Sequence, residues 1–244
     1  MSNKGLYQTG LVFAVLTALG WILFVVGSMS FPQGEGAGAL ESYLARADSS
    51  AVLMYTWGGI LGSLMVIPVF LALFQGFRRE TGSILAVPIT FAIVGVAFLT
   101  MGFMVDTGSM IYYFGPALAA AEGSDAELMM KAAQLAQDSI EVTWAIGSFL
   151  AYGGSIVWIA ILLSRASRVP RWMNWAGIIG GLAGFVWIVR FVPVPAPQSV
   201  GIILVMINIV LVMVWLVGLS IILARSGDEE SVQPHEQPRL HIQV

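Results

Sequence analysis

Five polar residues could do chemistry in this sequence: Asp106, Asp138, Glu141, Arg190 and Asn208, each at the edge of or inside a long apolar run. Charge at membrane depth is costly and is expected to face a bundle interior or water, so such residues are candidates for function. Asp106 closes the third apolar run, Asp138 and Glu141 open the fourth, Arg190 lies about half a turn inside the end of the fifth, and Asn208 lies about two turns into the sixth. The chemistry this implies is an outward-open polar pocket in which Arg190 pairs with Glu141 or Asp106 through charge-assisted hydrogen bonds. Along the fourth run Glu141, Ser148, Tyr152 and Ser155 recur at helical spacing and direct a polar stripe inward. The alternative is that each is an ordinary interfacial residue, with Arg190 snorkelling to lipid headgroups.

Other chemistries are excluded by what the sequence lacks. Both histidines, His235 and His241, lie in the tail, so no apolar run supplies a His ligand to haem, chlorophyll or a metal. Lys4 and Lys131 lie outside the runs, which excludes a retinal Schiff base within a bundle. With no Cys there is no disulfide, iron–sulfur cluster or thiolate zinc site. Thioethers can bind Cu(I), but Met101, Met104 and Met110 have no His or Cys beside them and read as apolar filler. No Ser-His dyad, HExxH or GxxxxGK is present. The expectation is no catalytic residue and no cofactor. A net charge of -3 offers no basic face to nucleic acid.

The elements that must position these residues follow from composition. Of 244 residues 58% are hydrophobic and 10% charged, and the mean hydropathy is +0.86. A soluble domain carries about a quarter charged residues, so this is an integral membrane protein. A spanning helix needs roughly 20 apolar residues, and six stretches qualify: 11–29, 52–74, 84–105, 142–163, 172–192 and 200–224. Lipid offers the backbone no hydrogen-bond partner, so these are helices, and the fold class is an all-α, six-helix membrane bundle forming one domain over residues 1–225. The first run exceeds the core of a signal peptide, about 7–15 residues, and reads as an uncleaved span. Placing both termini in the cytoplasm puts Lys4, Arg78, Arg79, Arg165, Arg168, Arg171, Arg225 and Arg239 inside and only Arg46, Lys131 and Arg190 outside. Nine of the 14 acids then fall on the outer side.

The inner connections, 77–82 and 164–171, are short and basic, so the helices they join pack as antiparallel neighbours. In the outer segment 31–50 a Gly-rich stretch precedes Leu40, Tyr43 and Leu44, spaced as a short amphipathic turn lying on the bilayer. In the segment 106–139, residues 110–121 have the length of an interfacial or re-entrant piece. Ser124, three before Glu127, is a capping-box pattern that starts a helix running into the fourth span. Residues 193–197 form a stiff Pro-rich turn, and the acidic tail 226–244 is expected to be disordered. Gly58 with Gly62, Gly177 with Gly181 and Gly180 with Gly184 fit small-xxx-small packing between helices of the bundle. Pro68 and Pro88 are expected to kink their spans. Trp57, Trp144, Trp158, Trp172, Trp175 and Trp187 read as an interfacial belt.

The basic turn and Gly-rich helix of residues 164–185, beginning Ser-Arg-Ala-Ser-Arg-Val-Pro-Arg-Trp, resemble those of an uncharacterised domain-of-unknown-function family of small bacterial integral membrane proteins. In that family a similar Pro-Arg step precedes a span with a Gly near its start. The resemblance implies a bacterial plasma-membrane location and carries over no catalytic residue. The residues themselves suggest a non-enzymatic protein whose partners are the lipid bilayer and either a small solute, as a carrier, or another membrane protein, as an accessory subunit. The rival is an enzyme acting on a lipid or envelope precursor at the outer leaflet, with Glu141 as general base and Arg190 holding a phosphate.

Overall fold

In the computed structural model, residues 3–29, 40, 44, 50–189 and 198–232 are described, and among them the chain is helical with no strand. Six helices are long and apolar enough to cross a membrane. The first span is Asn3–Ser28, the second Ser50–Leu64 with Val66–Thr81, and the third Ala86–Asp106 after a short 3-10 turn at Ser83–Leu85. The fourth comprises Gly123–Ser148, a π-helical stretch Phe149–Gly154, and Ser155–Leu163. The fifth is Arg171–Ala183 with Val186–Val189, and the sixth is Gln198–Val232. Arg46, Arg190, the Pro-rich turn 193–197 and residues 233–244 lie outside the described residues.

Each span packs on its sequence neighbours and the first closes against the sixth, giving a ring in chain order. The lower half of the second span sits deepest: Val66, Val69, Phe70, Leu73 and Phe77 are 0% exposed. Backbones approach closely where glycine permits it. A Cβ on Gly20 would lie 2.5 Å from the Gly62 nitrogen, and one on Gly58 would lie 2.5 Å from the Phe24 nitrogen. The small-residue patterns therefore serve packing inside the bundle. Pro68 breaks the second span at Met65, where no proline N–H is available to bond the Leu64 carbonyl. Pro88 produces no break in Ala86–Asp106, because it stands in the first turn, where that N–H would be unpaired anyway.

The third and fourth spans are the distinctive pair. Residues 110–121 do not fold back as a re-entrant piece: the third span continues through a π-helical stretch Thr107–Phe114 into Gly115–Ala120. Pro116 removes a donor there, and the wider π turn accommodates the loss. The continuous helices Ser83–Ala120 and Gly123–Leu163 have 38 and 41 residues. At 1.5 Å per residue they are about 57 and 61 Å long, roughly twice the apolar thickness of a bilayer. They form a hairpin turning at Ala121 and Glu122, both extended, and at Gly123, whose φ of +56° favours glycine. The expected capping box is not used. The helix starts two residues earlier than that box implies, with Glu122 rather than Ser124 as N-cap and no side-chain cap bond.

The hairpin has its own small core of Met110, Phe114, Ala133 and Ile140, into which Leu40 and Leu44 insert. These two leucines are buried there rather than lying on the bilayer, because the hairpin offers them a protein surface; Tyr43 lies outside the described residues.

At the opposite end, Arg168 fastens the turn between the fourth and fifth spans to the second. Its guanidinium pairs with Glu80 at 2.7 Å, donates to the Gly76 carbonyl, and lies 4.6 Å from the Phe77 ring centroid. Its place near a helix C-terminus is also favourable for a cation. Arg168 and Glu80 side chains are 30% and 29% exposed, so solvent weakens the ion pair but does not remove it. Arg168→Ala is expected to lower stability by about 2 kcal/mol, read by thermal unfolding in detergent. Arg168→Lys should not restore it, since an ammonium cannot fork to a carbonyl and a carboxylate while lying on a ring.

Candidate functional site

Half-way along the bundle, Tyr152 organises a buried polar network. Its Oη donates to the Gly62 carbonyl at 3.2 Å and accepts from Trp21 Nε1 at 3.2 Å. Tyr152 lies in the π-helical stretch Phe149–Gly154, and its carbonyl accepts Asn208 Nδ2 at 2.9 Å. The same amide donates to Gly180 O at 2.8 Å, and Asn208 Oδ1 accepts Trp187 Nε1 at 3.4 Å. Glycine makes this reach possible: a Cβ on Gly184 would lie 2.8 Å from Asn208 Nδ2 and 2.9 Å from Gly153 Cα. The first, second, fourth, fifth and sixth spans are thus joined through two side chains.

Trp21, Ser148, Tyr152, Trp187, Asn208 and Val212 border a cavity of about 10 Å³, room for about one water. Among the described residues no carboxylate, lysine or histidine lines it. Its capacity is hydrogen bonding between neutral groups, which orients helices and carries no charge. Asn208→Ala removes the two donated bonds and the accepted one. Interhelical hydrogen bonds in membranes average about 0.6 kcal/mol, so the loss should be about 2 kcal/mol, read as a lowered melting temperature in detergent.

The sequence-derived residues are placed as follows. Asn208 joins Tyr152 of the inward stripe, and Ser148 and Ser155 of that stripe are also buried. Asp106 ends the helix Ala86–Asp106 and is 3% exposed. Glu141 is half-buried on the fourth span, and Asp138 is exposed one turn farther out. Arg190 lies outside the described residues, directly after Val186–Val189, which packs on Gly123–Ser148.

A second concavity lies between the third and fourth spans at the root of the hairpin. Met101, Gly102, Val105 and Ser109 form one side, and Ala136, Ser139, Ile140 and Thr143 the other, around about 230 Å³. Ser109, Ser139 and Thr143 each donate to the carbonyl four residues back, at 2.6, 3.0 and 3.1 Å. With these hydroxyls turned to their own helices the groove is effectively apolar.

A family model described as a domain of unknown function, DUF4386, matches residues 8–220. The chain belongs to this family. No curated protein and no solved structure matches it. The DUF4386 match runs from the first span into the sixth, so it takes in the Tyr152 network, the hairpin and the Arg168 turn, and with them the 164–185 stretch that carries the resemblance.

Sequence reasoning missed two parts of this DUF4386 chain. Trp21 and Trp187 belong to the network, and Trp144 packs inside rather than in an interfacial belt. Its ring centroid is 4.4 Å from Phe103, 5.6 Å from Tyr55 and 6.1 Å from Phe24. Trp57, Trp158, Trp172 and Trp175 are exposed. The available signal was Gly102: a Cβ there would stand 2.2 Å from the Trp144 ring, so a glycine opposite a tryptophan marks an inward ring. The second omission is a hydroxyl pair, Thr107 Oγ1 to Thr56 Oγ1 at 3.1 Å, which ties the hairpin root to the second span.

Proposed function

We propose that this chain is a non-enzymatic, membrane-embedded accessory subunit that binds another membrane protein at its hairpin end, rather than a small-solute carrier. The observation that carries the reading is the hairpin, which extends about 25–30 Å beyond the apolar thickness its spans require. It leaves Tyr112, Tyr113, Leu128 and Leu135 exposed at 71, 61, 70 and 71%. Apolar side chains on the spans meet lipid, but these stand where water would meet them, and such a patch marks an interaction surface. The interior supports the same reading. A carrier needs a polar cavity reaching the middle of the bilayer, whereas here Trp21, Tyr152, Trp187 and Asn208 bond to one another and to backbone carbonyls around about 10 Å³.

In this reading the basic end is cytoplasmic and the acidic hairpin projects outside a bacterial plasma membrane, with Asp106 and Glu141 at its root. A single Cys at position 122 should react with an impermeant maleimide on intact cells, and one at position 167 only after permeabilisation; the reverse pattern would invert the assignment.

The accessory role is tested by extracting the protein in native-lipid discs and measuring intact masses. A second polypeptide in fixed stoichiometry is expected. Discs holding this chain alone, or with copies of itself, would overturn the role.

A further inference from the structure

One face of the fourth span carries a stripe that the packing within the chain does not use. Leu128, Ala132, Leu135, Ser139, Val142 and Ile146 are all exposed. Their spacing of four, three, four, three and four residues is a heptad seam, which presents small and apolar side chains in one line to a single facing helix. On its flank the stripe adjoins the apolar groove of Met101, Val105 and Ser139, so the surface continues from the hairpin onto the third and fourth spans. The residues from 122 to 138 include Glu122, Asp125, Glu127 and Asp138 against a single Lys131.

Resting on the accessory-subunit reading, we propose that this stripe and groove receive one helix of a different membrane protein, apolar along the facing seam and flanked by Lys or Arg where it leaves the bilayer. Charge decides the occupant. A second copy in the same membrane, related by a two-fold axis along the bilayer normal, would set each hairpin's acids against the same acids, which repels. A basic partner pairs with them instead, while the seam supplies apolar contact and the small residues Ala132 and Ser139 allow close approach.

The test uses the full chain in phosphatidylcholine nanodiscs, with Gln134→Cys carrying an environment-sensitive dye and Ser167→Cys, at the opposite end, as the control site. The probes are two synthetic amphipathic helices with the same Leu/Ala seam, one flanked by Lys and the other by Glu. The Lys peptide should shift the dye at position 134 saturably and leave that at position 167 unchanged, and the Glu peptide should bind about 10-fold more weakly or worse. Leu128→Ser with Leu135→Ser, which removes the apolar seam without changing charge, should weaken the Lys peptide by about 10-fold or more, while the melting temperature, set by buried contacts, stays within about 2 °C. Equal responses to both peptides, or an unaltered response in the double variant, would overturn the proposal, the latter assigning the signal to the bilayer. Dye-monitored self-association without peptide, abolished by the double variant, would assign the face to a second copy and also overturn it. A second polypeptide found in native discs alongside equal peptide responses would leave the accessory role standing and remove only this inference.

Discussion

Gly20→Leu should yield no folded, monodisperse protein. A Cβ at this position would stand 2.5 Å from Gly62 N, 2.7 Å from Gly62 Cα and 3.0 Å from Gly58 O, all of them backbone. Ordinary overpacking costs about 1–3 kcal/mol because side chains can change rotamer. Here no rotamer relieves the contact, so the first and second spans must part. Parting them also withdraws Gly62 O from Tyr152 and separates Gly27 from Tyr55, whose nitrogen a Cβ on Gly27 would approach to 2.5 Å. The combined loss is comparable to the whole stability of a typical fold, about 5–15 kcal/mol. Gly201→Leu, at a glycine with nothing within 4 Å of its Cβ position, is the matched control and should purify normally. Size-exclusion profiles in detergent read both; a sharp native-sized peak for Gly20→Leu would show that the two helices do not meet as described.

The next largest effect is expected from Phe103→Ala, a loss of about 3–5 kcal/mol. Phe103, on the third span, is 1% exposed and fills the space against the first, second and fourth, 4.4 Å from Trp144, 5.7 Å from Phe24 and 6.0 Å from Tyr55 by ring centroids. Each edge-on aromatic pair adds about 0.5–1.5 kcal/mol to the area it buries. Gly59 exists to admit this ring, since a Cβ on it would fall 2.1 Å from Phe103 Cζ. That relation gives the prediction a second arm. Gly59→Val should be strongly destabilising alone and should recover part of the loss when combined with Phe103→Ala, because the methyl groups enter the vacated space. Thermal unfolding of the four proteins measures the coupling; additive losses would mean that residue 59 and the ring do not share a site.

The six spans were legible because lipid imposes one solution on an apolar run of about 20 residues. The uninterrupted fourth helix was legible too, since no proline occurs between Ser124 and Leu163. What misled was sequence read as local. Residues 110–121 are too short to span and so suggest an interfacial piece, but the chain stays helical through Ala120, where Met110 and Phe114 can pack on Ala133 and Ile140. Leu40 and Leu44 have the spacing of a bilayer-lying turn, and only the neighbouring hairpin reveals another surface for them. Tryptophans near span ends look alike in sequence; whether a ring turns in or out depends on a glycine on the facing helix. Tyr152 and Asn208 could each be singled out as polar residues in apolar runs, but their connection runs through backbone carbonyls, which carry no sequence signal.

The proposed accessory role requires a bundle sealed half-way along its length, with no passage for a solute, and cysteine accessibility tests this most directly. The chain contains no native Cys, so Ser148→Cys, at a cavity-lining position only 3% exposed, reports on that depth alone. In proteoliposomes treated from either side with a small, charged, membrane-impermeant thiol reagent, position 148 should remain unmodified while position 122 reacts fully. Modification of position 148 at a rate within about 10-fold of position 122 would show an aqueous path to the centre and contradict the account.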